Sequence, residues 1–108
     1  LVAQTWLSED ETRYLVKVLA EELRRLRRKL ASLEKELHGL EERYGMGTEE
    51  FIEMYSRAKR GEAVWRLPEE ADMDSVEWLG LALLRREVEE EIERLEKILA
   101  KIRTSREK

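Results

Sequence analysis

Cysteine and asparagine are absent from the 108-residue chain, and proline, histidine and phenylalanine each occur once. Without cysteine there is no disulfide framework, no thiolate nucleophile and no thiolate metal site, which fits a reducing compartment and makes the cytoplasm the expected location. Long apolar runs are also missing. The longest, Trp78 to Leu84, falls far short of the roughly 20 residues a membrane span requires, and no basic region followed by an apolar stretch opens the chain. A soluble, unprocessed protein is expected, although Leu1 in place of a methionine leaves open whether a few residues precede it or the start is unusual. A single glutamine beside abundant Glu, Arg and Leu resembles the amide-poor, ion-pair-rich usage of hyperthermophile proteins, so a thermophilic source is expected.

Charge, by contrast, is plentiful. Charged residues make up 43% of the chain, against about 25% in an ordinary domain, while the hydrophobic fraction of 42% is close to normal. This is the composition of a single helix-rich or coiled-coil domain.

Residues 1–7 form a mixed tail in which Trp6 and Leu7 could fold back onto the body. Ser8 with Glu11 makes a capping box, and Glu9 and Asp10 add negative charge where the N-terminal helix dipole favours it. A helix is predicted over 8–44. Within it Val16, Leu19, Leu23, Leu26, Leu30, Leu33, Leu37, Leu40 and Tyr44 alternate spacings of three and four, a heptad seam. Gly45 suits a left-handed stop and Thr48 an N-cap for a short helix from about Glu49 to Arg60, within a connecting region at 45–74. The stretch Gly61 to Asp72 reads as an ordered loop, because Val64, Trp65 and Leu67 require burial. Asp74 with Glu77 reads as a second capping box opening a last helix over 75–104, with 105–108 frayed. Its stripe is Trp78, Leu81, Val88, Ile92, Leu95, Leu99 and Ile102, interrupted by Arg85, where Leu84 can substitute. Trp78 to Leu84 is apolar all round and is expected to be enclosed, with Gly80 permitting a close helix approach.

Two pairings of the long helices compete, an antiparallel hairpin and a parallel homodimer on the first helix. If residue numbers across the hairpin add to about 122, Arg24, Arg25, Arg27, Arg28 and Lys29 lie near Glu91, Glu93 and Glu96, Glu36 meets Arg86, and Glu21 and Glu22 meet Lys101. Charge and apolar matching then agree, which favours the hairpin. The expected fold is all-α, an antiparallel two-long-helix coiled-coil hairpin with a short connecting helix. One seam buries too little surface to be comfortable alone, so a homodimer forming a helical bundle, or completion by another partner, is expected.

Chemistry is sparse. His38 shares a face with Glu34, but Lys35 stands where a dinuclear bundle site would need its Glu, so no metal or cofactor is expected. No glycine-rich phosphate loop or Ser/His pairing is present, and a non-enzyme is expected. The net charge of -4 disfavours nucleic acid. Arg57, Lys59, Arg60 and Arg66, interleaved with Trp65, remain candidates for an acidic partner surface or RNA. The group Tyr44, Met46, Phe51, Tyr55, Trp65 and Trp78 reads either as a satellite core or as a partner-binding knob.

From Glu41 to Phe51 the chain reads Glu-Glu-Arg-Tyr-Gly-Met-Gly-Thr-Glu-Glu-Phe, followed by Met54-Tyr55 and later Glu77-Trp78. This resembles a family of small prokaryotic, mostly archaeal, helical antitoxin-like proteins, over roughly residues 37–100. Here the first helix is longer, and the loop carries Lys59, Arg60, Arg66 and Pro68 where the family is shorter and more acidic. The resemblance implies a module that binds and neutralises a companion toxin encoded nearby. The expected partner-binding residues are Phe51, Tyr55, Arg57, Arg60, Trp65 and Arg66. A self-associating coiled-coil scaffold is the alternative.

Overall fold

The computed structural model describes residues 8–63 and 65–106. The tail contacts expected of Trp6 and Leu7, the burial expected of Val64 and the last two residues of the frayed end lie outside them. The regular secondary structure of the described residues is entirely helical: α1 (Glu9–Tyr44), α2 (Thr48–Lys59), a 3-10 turn (Glu69–Ala71) and α3 (Asp72–Arg106). They fall into two compact units, one of the segments up to Leu30 and from Glu87, the other Ala31–Arg86.

Local grammar accounts for the ends of α1 and α2. The Ser8 N–H donates to Glu11 Oε1 at 3.0 Å and the Glu11 N–H to Ser8 Oγ at 3.1 Å, the reciprocal bonds of a capping box. At the other end Gly45 has φ 66°, and the Met46 N–H reaches back to the Glu41 carbonyl at 3.3 Å. α2 stops in the same way. Gly61 takes φ 77°, with its N–H on the Ala58 carbonyl at 3.1 Å and the Glu62 N–H on the Arg57 carbonyl at 2.8 Å. Both positions need a residue that tolerates the left-handed region at little cost.

Two caps differ from the sequence reading. Gly47 holds the N-cap position of α2, and Thr48 is the first helical residue and fully buried. The Glu41 carboxylate accepts the Thr48 N–H at 2.8 Å and so satisfies one of the orphan donors at the start of α2. α3 begins at Asp72 rather than 75, because the 3-10 turn, closed by the Ala71 N–H on the Pro68 carbonyl at 2.9 Å, runs straight into it. Asp74 therefore lies inside the first turn and does not cap. Its carboxylate accepts from Tyr44 and Arg43. The helix runs through Arg106, past the expected end at 104.

In the first unit Leu23, Leu26, Val88, Ile92, Leu95, Leu99 and Ile102 are buried, while Leu19 and Leu30 are half-buried. Arg27 donates to Glu96 at 2.6 Å. Several other residues of the expected charge matching pair locally. Arg25 pairs with Glu22, Arg94 with Glu91, and Lys97 with Glu93 along their own helices. In the second unit Leu33 and Leu37 are buried seam residues. Glu36 and Arg86 are both exposed and form no ion pair within 4 Å among the described residues, as expected where two long side chains gain little over water by meeting. The seam break at Arg85 has a local explanation: its guanidinium is half-buried and donates to Glu49 Oε1 on α2 at 3.0 Å.

The opening of α3 is not enclosed on all sides. Trp78 and Ala82 are buried, but Leu83 is 60% exposed, and among the described residues nothing lies within 4 Å of where a side chain at Gly80 would begin, so this glycine serves no close approach among them.

Leu37 sits at the centre of the second unit's core with almost no exposure. Leu37→Ala is expected to lower unfolding stability by about 2–5 kcal/mol, and Leu19→Ala, at a half-buried position, by clearly less, as read by denaturant titration.

Candidate protein-binding surface

The core of residues 31–86 is built around Trp78, which is 0% exposed. Its ring stacks on Phe51 with centroids 4.1 Å apart and planes 1° from parallel, and on Tyr44 at 5.8 Å. Burying an indole leaves its N–H in need of an acceptor. Thr48 supplies it: Trp78 Nε1–H donates to Thr48 Oγ1 at 3.0 Å, and the Thr48 hydroxyl donates in turn to Glu41 Oε2 at 2.8 Å. Among the described residues no buried side-chain nitrogen or oxygen lacks a partner.

A second polar cluster closes the same end. Asp74 Oδ2 accepts from the Tyr44 hydroxyl at 2.5 Å and from Arg43 Nη1 at 2.7 Å. The Tyr44 hydrogen bond, then the Arg43 guanidinium, hold the Asp74 carboxyl below its ordinary range, and the Tyr44 hydroxyl is pushed up by the same bond. Glu41 is likewise held low, first by the Thr48 N–H and then by its hydroxyl, against the opposing effect of burial.

Around this core the six expected partner-binding residues separate. Phe51 is 0% exposed and stacked on Trp78, so it is core and out of a partner's reach. Its place between Trp78 and the Trp65 loop explains the correction. Tyr55 and Trp65 are half-buried and meet edge to face at 5.8 Å, Trp65 also resting against Phe51 at 6.2 Å. Lys59 Nζ lies 5.6 Å over the Tyr55 ring. Tyr55 and Trp65 line one cleft of about 380 Å³, together with Val76 and Asp72. Arg57 and Arg66 line another, of about 460 Å³, together with Glu50 and Glu53. Arg60 is engaged by Glu62 through two hydrogen bonds, whereas Arg66 is exposed and has no ion pair among the described residues.

His38 Nε2 lies 2.9 Å from Glu42 and Nδ1 3.7 Å from Glu41, so its neighbours are on the C-terminal side rather than Glu34. Among the described residues no three His, Cys, Asp or Glu side chains converge, and no helix is long and apolar enough to cross a membrane. The sequence reading missed the exposed apolar residues Met73, Val76 and Leu83 of α3, although their three-and-four spacing was there to be read. No protein-family model, curated protein or solved structure matches this chain.

Thr48→Val keeps the shape but removes the hydroxyl between Trp78 and Glu41. A loss of about 1–3 kcal/mol is expected from the stranded indole N–H, and a smaller one for Thr48→Ser, both read by denaturant unfolding. A second expectation concerns pH. A carboxyl whose folded pKa lies below its unfolded value contributes stability above the unfolded value and loses it as pH falls through the folded one. For Glu41 and Asp74 the unfolding midpoint should therefore hold near neutrality and fall as pH drops below about 4.5. Glu41→Gln should flatten that fall; an unchanged slope would show that Glu41 carries no part of it.

Proposed function

We propose that the protein is a non-enzymatic helical interaction module of the antitoxin type, which binds and neutralises a companion protein toxin. The observation that carries this reading is the surface beside α2, where the half-buried Trp65 is braced by Phe51 and Tyr55 and followed directly by Arg66, which has no ion pair among the described residues. A braced aromatic beside an uncommitted guanidinium is the combination enriched at binding hot spots, because the ring loses little entropy on contact and the cation needs an acceptor. The Tyr-Gly-Met-Gly-Thr-Glu-Glu-Phe turn supports the antitoxin assignment by resemblance, and α2 is what that turn positions.

In this reading the α1 and α3 segments run antiparallel within each unit. The Arg27–Glu96 ion pair supports that direction, since it lies within a residue of the register at which numbers add to about 122. Two copies pair to complete the apolar burial that one seam leaves short. The alternative is a self-associating scaffold without a toxin, favoured by the exposed Met73, Val76 and Leu83.

Co-expression with the protein encoded beside it tests the proposal. A stoichiometric complex is expected, with Trp65→Ala and Arg66→Glu each weakening it on the order of 10-fold or more while the far-ultraviolet helical signal is kept. A chain that purifies alone beside its expressed neighbour would overturn the antitoxin reading and favour the scaffold.

A further inference from the structure

Met73, Val76, Gly80 and Leu83 recur at spacings of three and four along α3 and so share one line on its surface. Met73, Val76 and Leu83 are 80%, 69% and 60% exposed, on the side of α3 away from the buried Trp78 and Ala82. Among the described residues nothing fills the space over Gly80. A glycine inside a helix is about 1 kcal/mol less favourable than alanine, and among these residues this one returns nothing. Against another helix it would allow close approach at the middle of an apolar line.

The charges beside the line say which helix. With Met73 and Gly80 as a positions and Val76 and Leu83 as d positions, Asp72 and Arg86 are both g positions, on the same flank. Both are exposed, and neither has an ion pair among the described residues. They stand equally far along the chain from Leu79. Turning one helix end for end about that midpoint keeps the shared flank on one side of the contact. Asp72 then comes beside Arg86 of the copy, and by symmetry Arg86 beside the copy's Asp72. Two helices running in the same direction would instead bring Asp72 to the copy's Glu77, a like-charge contact.

We propose that this face of α3 docks a second copy of the chain, antiparallel, across a two-fold axis near Gly80. The proposal rests on the self-association described above and is independent of any toxin. Because Asp72 and Val76 also line the Tyr55–Trp65 cleft, the second copy partly covers it. Of the residues proposed to meet a toxin, Arg66 lines the other cleft and Trp65 the one that the second copy partly covers.

Sedimentation equilibrium on the full chain provides the test. The parent is expected to be a dimer at micromolar concentration. Leu83→Glu should raise the dimer dissociation constant on the order of 10-fold or more. Asp72→Arg and Arg86→Asp should each weaken the dimer, and the double variant, in which the charges are exchanged, should recover most of the loss. All three positions are exposed, so the helical signal should not change. A monomeric parent would overturn self-association itself. A dimeric parent indifferent to Leu83→Glu would leave self-association standing and overturn this face. Weakening by both single changes without recovery in the double variant would overturn the antiparallel arrangement.

Discussion

The indole of Trp78 has to leave water completely and still find an acceptor for its N–H, and residues 31–86 are arranged to meet both demands. Phe51 of α2 covers one face of the ring, while Thr48, one turn earlier on α2, takes the hydrogen bond. Thr48 is itself held by Glu41, a turn before the end of α1. The start of α2 is thus tied at once to the end of α1 and to the body of α3. The Gly45-Met46-Gly47 turn makes this possible, because it reverses the backbone over three residues without a side chain that opposes the left-handed conformation at Gly45. The Asp74 carboxylate, shared by Tyr44 and Arg43, adds a second tie between the same two helices.

Charge plays a different part. Most of the ion pairs run along a single helix, as in Arg25 with Glu22 or Lys97 with Glu93, where they add a few tenths of a kcal/mol each and do not choose a partner. Many other charged residues have no ion pair among the described residues, and the informative ones are those that flank exposed apolar or aromatic side chains. Arg66 beside Trp65, and Asp72 with Arg86 beside Met73, Val76 and Leu83, are of this kind. They mark two patches on the second unit, one aromatic and cationic, the other aliphatic with charges of both signs, which meet at the cleft lined by Trp65, Asp72 and Val76.

Much of the architecture was readable residue by residue. The Ser8–Glu11 box and the glycines at 45 and 61 act within five residues of themselves, so their sequence patterns identify their geometry. The heptad spacing likewise anticipated burial at Leu23, Leu26, Leu33 and Leu37. The failures share a cause. Thr48 and Asp74 are both good cap residues, but each was recruited by a side chain from a distant part of the chain, Thr48 by Trp78 and Glu41, Asp74 by Tyr44 and Arg43. Phe51 looked like a binding residue because aromatics anchor both cores and interfaces, and only the ring stacked against it distinguishes the two. Gly80 suggested a close contact, and none exists among the described residues.

Periodicity, capping chemistry and the placement of glycine were enough to determine the helical class, the two stops near 45 and 61 and which edge of α1 is apolar, since each depends on interactions a few residues apart. Which aromatic is enclosed and which is presented, which polar group caps and which bridges, and which apolar line of α3 is left in water depended on contacts between different elements, as between Thr48 and Trp78. Those contacts compete for the same side chains, and only the packed structure settles which partner wins.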